Sequence, residues 1–216
     1  MRGFVLGSVS LVVIAGAVIG MTARERAVAR QRRATTYSGY VVNPPRALPP
    51  VTLLDSAGKP VILSRVGAPG VAIVYFGYSH CPDACPTTLA DWRRIKQQLG
   101  ADARRVRFVF ITVDPAHDTR QVLRDYLKQF DPEIVGLTGT KAALDSAQNA
   151  LLVQELEDNP MSLDAHAEGF AHSVSLSLVD AAGRLRVALP VHSSAHIAVK
   201  DVRLLLADTL YRDGRM

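Results

Sequence analysis

An uninterrupted apolar run at residues 71–76, VAIVYF, leads through Gly77 into the only two cysteines of a 216-residue chain, Cys81 and Cys85. A β-branched and aromatic run of this length fits a buried central strand, and the rest of the chain then has to supply its neighbours. Pro82, Asp83 and Ala84 separate the cysteines, one residue more than in the C-x-x-C of common dithiol oxidoreductases. Pro86 disfavours the α region for Cys85 but suits the first helical position. Cys85 is therefore expected near the N-cap of a helix running through Thr87, Leu89, Trp92, Ile95 and Leu99. The positive end of such a helix favours the thiolate, the form that attacks disulfides and binds metals. The loop is primed for redox exchange or for metal binding; the plain alternative is a structural disulfide or a pair of buried free thiols.

Ahead of that strand, residues 51–54 and 60–63 flank a turn containing Gly58 and read as a small hairpin. After the cysteine helix, residues 106–113, VRFVFITV, form a second strand of the buried type, with Asp114 at its carboxyl end. Ligand sites of open α/β sheets gather at the carboxyl ends of strands, so Asp114, Asp118 and the cysteine loop are expected on one rim. Asp118 with Thr119 reads as the cap of a helix carrying Val122, Leu123, Tyr126, Leu127 and Phe130. Asp114 is left open between orienting the metal loop, docking and capping. A short strand at 134–137 and a helix at 140–151 follow. Residues 153–169 are polar and weakly periodic, an exposed excursion. Val174, Leu176 and Leu178, then Leu185, Val187 and Leu189, alternate about a turn at 180–183. They predict an antiparallel hairpin at the sheet edge, and residues 197–210 close the chain as a helix.

Residues 4–21, FVLGSVSLVVIAGAVIGM, carry no charge. Their length reaches the lower end of the roughly 17 to 25 residues of a membrane helix and exceeds the roughly 7 to 15 of a signal-peptide core, so an uncleaved anchor is expected. Residues 1–3 are then a short tail, 22–50 a basic and then Pro-rich linker, and 51–216 the folded domain. Arg24, Arg26, Arg30, Arg32 and Arg33 follow the span, and the positive-inside rule alone would leave that domain on the cytoplasmic side. The net charge of +5 gathers near the N-terminus instead of striping a helix with aromatics, which argues against nucleic-acid binding.

The segment YFGYSHCPDACPTTL at 75–89 resembles the signature of the Sco/SenC family, thioredoxin-fold copper proteins that assist assembly of the binuclear copper centre of cytochrome c oxidase. TVDPAHDT at 112–119 and AHSVSLSLVD at 171–180 are similar to that family too, and order and spacing agree across roughly residues 50–210. The resemblance implies an α/β, thioredoxin-like fold with an N-terminal β-hairpin and an insertion before the last strands, preceded by a membrane helix. It implies copper, as Cu(I) or Cu(II), held by Cys81, Cys85 and His172, the histidine being carried toward the cysteines by the excursion. It also implies two partners, a copper-receiving oxidase subunit and a thiol reductant of the thioredoxin type. The location it implies is the bacterial cytoplasmic membrane, spanned once, with the C-terminal domain in the periplasm. That location opposes the positive-inside reading, and we follow the resemblance.

The donor chemistry fits such a role. Two thiolates and one imidazole make a soft site suited to Cu(I), tolerant of Cu(II) with an added weak ligand, whereas a closed zinc site wants a fourth protein ligand. Metal binding needs both thiols reduced, and oxidation would join Cys81 and Cys85 in a disulfide, so the pair doubles as a redox switch. The expectation is a metallochaperone more than an enzyme. The alternative is a membrane-anchored thiol-disulfide oxidoreductase in which Cys81 attacks a partner disulfide and Cys85 resolves it, with a peroxidase as a weaker variant. Among the other histidines, His80 is expected to tune the neighbouring thiol or face solvent, and His117 to lie on the surface. His192 and His196 are four apart but straddle Ser193 and Ser194, which makes them residues of a capping region; His166 has no role.

Overall fold

A computed structural model describes residues 36–151, 175–191 and 193–212, with side chains through residue 208. The folded unit opens at Tyr37. Among the described residues its frame is a mixed sheet of eight strands. In spatial order these are β1 (Tyr40–Ala47), β8 (Arg184–Pro190), β7 (Ser175–Asp180), β4 (Val71–Gly77), β5 (Val106–Thr112), β6 (Val135–Thr138), β2 (Thr52–Asp55) and β3 (Pro60–Ile62).

The apolar run is the centre of this sheet. Every residue of β4 is buried, because β5 pairs with it in parallel on one side and β7 antiparallel on the other. Successive side chains leave opposite faces. Val71, Ile73 and Tyr75 join a cluster with Leu89, Trp92, Leu123 and Val202, and Ala72, Val74 and Phe76 join one with Leu53, Leu144 and Ala147. Helices α1 (Ala84–Leu99), α2 (Arg120–Lys128) and α4 (Ala195–Arg212) therefore cover one face and α3 (Lys141–Ala150) the other. Each large side chain so buried contributes about 1.5 to 3 kcal/mol.

Helix α1 buries Cys85, Thr88, Leu89, Trp92, Ile95 and Leu99, a stripe at helical spacing, and stops at Gly100, whose φ of 57° few side chains tolerate. Its N-cap is Asp83. Pro86 thus stands third in the helix instead of first, still inside the opening turn where no N–H has an intrahelical partner to lose.

Two expectations are corrected. The linker does not extend to residue 50: Tyr40–Ala47 is an edge strand, antiparallel to β8. The register slips between Val41 and Arg46, which brackets Pro44 and Pro45, and an edge strand with an irregularity is where proline is admitted. The carboxylate of Asp201, fully buried on α4, accepts from the backbone N–H groups of Ser38 and Gly39 at 2.9 Å and fixes the start of this segment. In consequence the β7–β8 hairpin is not at the edge, since β1 covers β8; the edges are β1 and β3. The β2–β3 hairpin, β4, β5, β6 and the four helices lie where the periodicity predicts. No helix among the described residues is long and apolar enough to cross a membrane. The expected anchor at 4–21 and the excursion at 153–169 lie outside the described residues.

Candidate metal centre

Strands β4 and β5 run in step to their carboxyl ends, with Gly77 opposite Thr112, and Val113 N–H donates to Gly77 O at 2.9 Å. The chain leaves the sheet at a glycine because a side chain does not fit there. A Cβ on Gly77 would lie 2.7 Å from Cys85 Sγ and 3.0 Å from two atoms of the Phe110 ring. The loop then turns back, Cys81 N–H donating to Tyr78 O at 3.3 Å, and enters α1.

The expected cysteines come together, and they are not equivalent. Cys81 lies at the outer end of the loop, 7% exposed, whereas Cys85 on α1 is fully buried. They are not joined; Cys85 N–H donates to Cys81 Sγ at 3.4 Å. Burial works against a Cys81 thiolate, but hydrogen bonds from the backbone N–H groups of Cys85, Asp83 and Ala84 at the helix start, and from the Cys85 thiol, outweigh it and hold this thiol below its ordinary value. Burial pushes the Cys85 thiol the other way, up to about 12, against hydrogen bonds from the Tyr75 hydroxyl and the Tyr78 backbone. Tyr75 Oη lies 3.5 Å from Cys85 Sγ, and either atom can donate. Burial, and then Cys85 beside it, push the phenol well above its usual range, so Tyr75 keeps its proton and donates whenever Cys85 has lost its own.

The loop is locked by Asp118. This carboxylate is fully buried and accepts from Ser79 N–H at 3.2 and 3.1 Å, from the Ser79 hydroxyl, and from the Thr112 hydroxyl at 2.6 Å. It does not cap α2 as the sequence predicts. The N-cap is Thr119, whose hydroxyl accepts from Val122 N–H at 3.3 Å. Asp118 instead joins the cysteine loop to the end of β5. Asp114, at the same rim, holds His117 through a 2.7 Å contact to Nδ1. His80 and His117 are solvent-facing, with side chains 61% and 68% exposed, and His196 stands in the first turn of α4.

His172, the third expected ligand, lies outside the described residues, as do His166 and His192. Among the described residues no three potential ligands converge. What sequence reasoning missed is the polar part of the site. Tyr75 counts in the sequence as one more apolar residue of the strand, although a phenol on the inward face ten positions before Cys85 was a usable signal. The Asp118 tether spans 39 residues to Ser79 and has no local signature.

The SCO1/SenC family profile matches residues 43–207. The chain is 43% identical over 94 residues to the mitochondrial protein SCO2 of Saccharomyces cerevisiae, covering 42% of this chain and 30% of that one. To the mitochondrial SCO1 homolog 1 of Arabidopsis thaliana it is 33% identical over 162 residues, covering 71% of this chain and 46% of that one. It thus spans less than half the length of either relative. The fold matches the copper-bound structure of Bradyrhizobium japonicum ScoI with a TM-score of 0.60 and 28% identity, over 74% of this chain and 99% of that one. The matched region takes in the cysteine loop, the Asp118 tether and the sheet that carries both, and on that ground the chain belongs to the SCO1/SenC family.

Proposed function

We propose that this protein is a copper chaperone for assembly of the binuclear copper centre of cytochrome c oxidase, holding its cargo on Cys81, Cys85 and His172. The graded thiol pair carries the reading. Cu(I) selects thiolates, and Cys81, the outer thiol, is the one held toward that form. Cys85 retains its proton until an ion displaces it. Tyr75 then donates to the new thiolate. The empty site therefore avoids two adjacent buried anions, while the loaded site gains both sulfurs. The copper bound in the B. japonicum relative supports copper as the cargo. In this account residues 4–21 anchor the chain in the bacterial cytoplasmic membrane with the domain in the periplasm. A copper-receiving oxidase subunit takes the ion, and a thioredoxin-type reductant restores the thiols.

The same asymmetry favours a second reading, thiol-disulfide exchange. The Cys81 thiolate attacks one sulfur of a partner disulfide, giving a mixed disulfide and a partner thiolate. Cys85 passes its proton to that thiolate and attacks Cys81 Sγ, which forms the Cys81–Cys85 disulfide and releases the second partner sulfur as a thiolate. His172→Ala separates the two. A chaperone loses tight copper binding and keeps exchange with a partner disulfide; copper binding at unchanged affinity and stoichiometry removes His172 from the ligand set.

A further inference from the structure

Beside the cysteine loop, two imidazoles face solvent together. His80 and His117 have ring centroids 5.8 Å apart in an edge contact. Each ring is held through Nδ1. Asp114 Oδ2 lies 2.7 Å from His117 Nδ1, and a carboxylate only accepts, so Nδ1 carries the proton of the neutral ring. His80 Nδ1 lies 3.2 Å from Ser79 Oγ. That hydroxyl has a single proton, and it is donated to Asp118 Oδ1; toward His80 the oxygen can only accept, so His80 also donates from Nδ1. Both neutral rings are left with Nε2 as a lone-pair nitrogen, and among the described residues neither Nε2 has a partner. An imidazole oriented by a hydrogen bond from its other nitrogen is how proteins prepare a histidine ligand.

The spacing suits one shared ion. With metal–nitrogen bonds of about 2.0 Å, two imidazole centres on one ion stand about 4.5 Å apart at a right angle and about 6.3 Å apart in line. The observed 5.8 Å falls between these limits, and both rings face solvent. Among the described residues no third protein ligand joins them, so water completes the coordination. Imidazole nitrogen with open positions suits divalent copper above its first-row neighbours.

The geometry points to a second, solvent-facing metal site formed by His80 and His117, positioned by Asp114 and taking Cu(II) with water as the remaining ligands. It does not depend on the cysteines holding copper, and the test keeps the two apart. The full chain carrying Cys81→Ala, Cys85→Ala and His172→Ala is titrated with Cu(II) and followed by electron paramagnetic resonance. We expect one ion with a two-imidazole nitrogen pattern. Adding His117→Ala weakens that binding at least tenfold, and adding Asp114→Asn weakens it about tenfold through loss of the orienting carboxylate. Because removing buried thiols can unfold the domain, the otherwise wild-type chain is also titrated with Ni(II), an ion that thiols do not reduce. The exposed double variant His80→Ala/His117→Ala should then bind one equivalent less than wild type. Affinity within threefold of the parent, or an unchanged Ni(II) equivalent count, would overturn the site.

Discussion

Replacing Asp118 with alanine tests the tether that sets the cysteine loop on the sheet. The substitution removes the acceptor of the Ser79 N–H and the Ser79 hydroxyl in the half-buried cysteine loop, and of the Thr112 hydroxyl at the buried end of β5. A hydrogen bond to a charged acceptor is worth about 1.5 to 3 kcal/mol, and a buried donor left without a partner adds its own penalty. Relief of burying the carboxylate offsets part of this, which leaves a net loss of about 3 to 5 kcal/mol. At about 2 to 4 °C per kcal/mol for a domain of this size, the melting temperature falls by about 6 to 20 °C. Urea denaturation measures the free energy, and amide exchange at Ser79 localises it: that N–H should lose protection more than those of β4. The loop would also relax around Cys81, so alkylation of Cys81 would shift toward the pH dependence of a free thiol. A loss below about 1 kcal/mol with Cys81 reactivity unchanged would refute the tether.

Alkylation followed by mass spectrometry should show the two thiols ionising far apart. Cys81 gains reactivity below the pH of an ordinary thiol, while Cys85 resists until the pH approaches about 12; a common midpoint would contradict the environments described. Stability follows with opposite signs. The depressed Cys81 contributes stability above the ordinary thiol value, lost as pH falls through its own value, whereas the raised Cys85 contributes fully below the ordinary value and loses it as pH rises toward about 12. Gly77→Ala forces a methyl group against Cys85 Sγ and Phe110; it should cost about 1 to 3 kcal/mol in urea denaturation and lower copper affinity, and a neutral result would mean that the strand end has more room than its contacts indicate.

The elements built on hydrophobic periodicity were legible. Strand β4 shows as six apolar residues, and α1 as Leu89, Trp92, Ile95 and Leu99 on one stripe, because each pattern is local and strong. Strand β1 was not: Asn43, Pro44 and Pro45 read as linker punctuation, and only the pairing with β8, some 140 residues on, makes them an edge strand with a slipped register. Asp118 failed for a related reason. Asp and Thr are both good caps, and the next residue, Thr119, took the role, leaving the acid to reach back across the rim. At the site, the residue types Cys81 and Cys85 announced the chemistry, but their inequality arises from the burial of Cys85, which outweighs the hydrogen bond from the Tyr75 hydroxyl and which a one-dimensional pattern does not carry.

X-ray absorption on the reduced full chain, loaded anaerobically with one equivalent of Cu(I), tests the proposed copper site most directly. The proposed site should show two sulfur neighbours and at least one imidazole nitrogen, with the nitrogen lost in His172→Ala. A copper ion without two sulfurs, or no retained copper from a chain that readily reduces a partner disulfide, would contradict it.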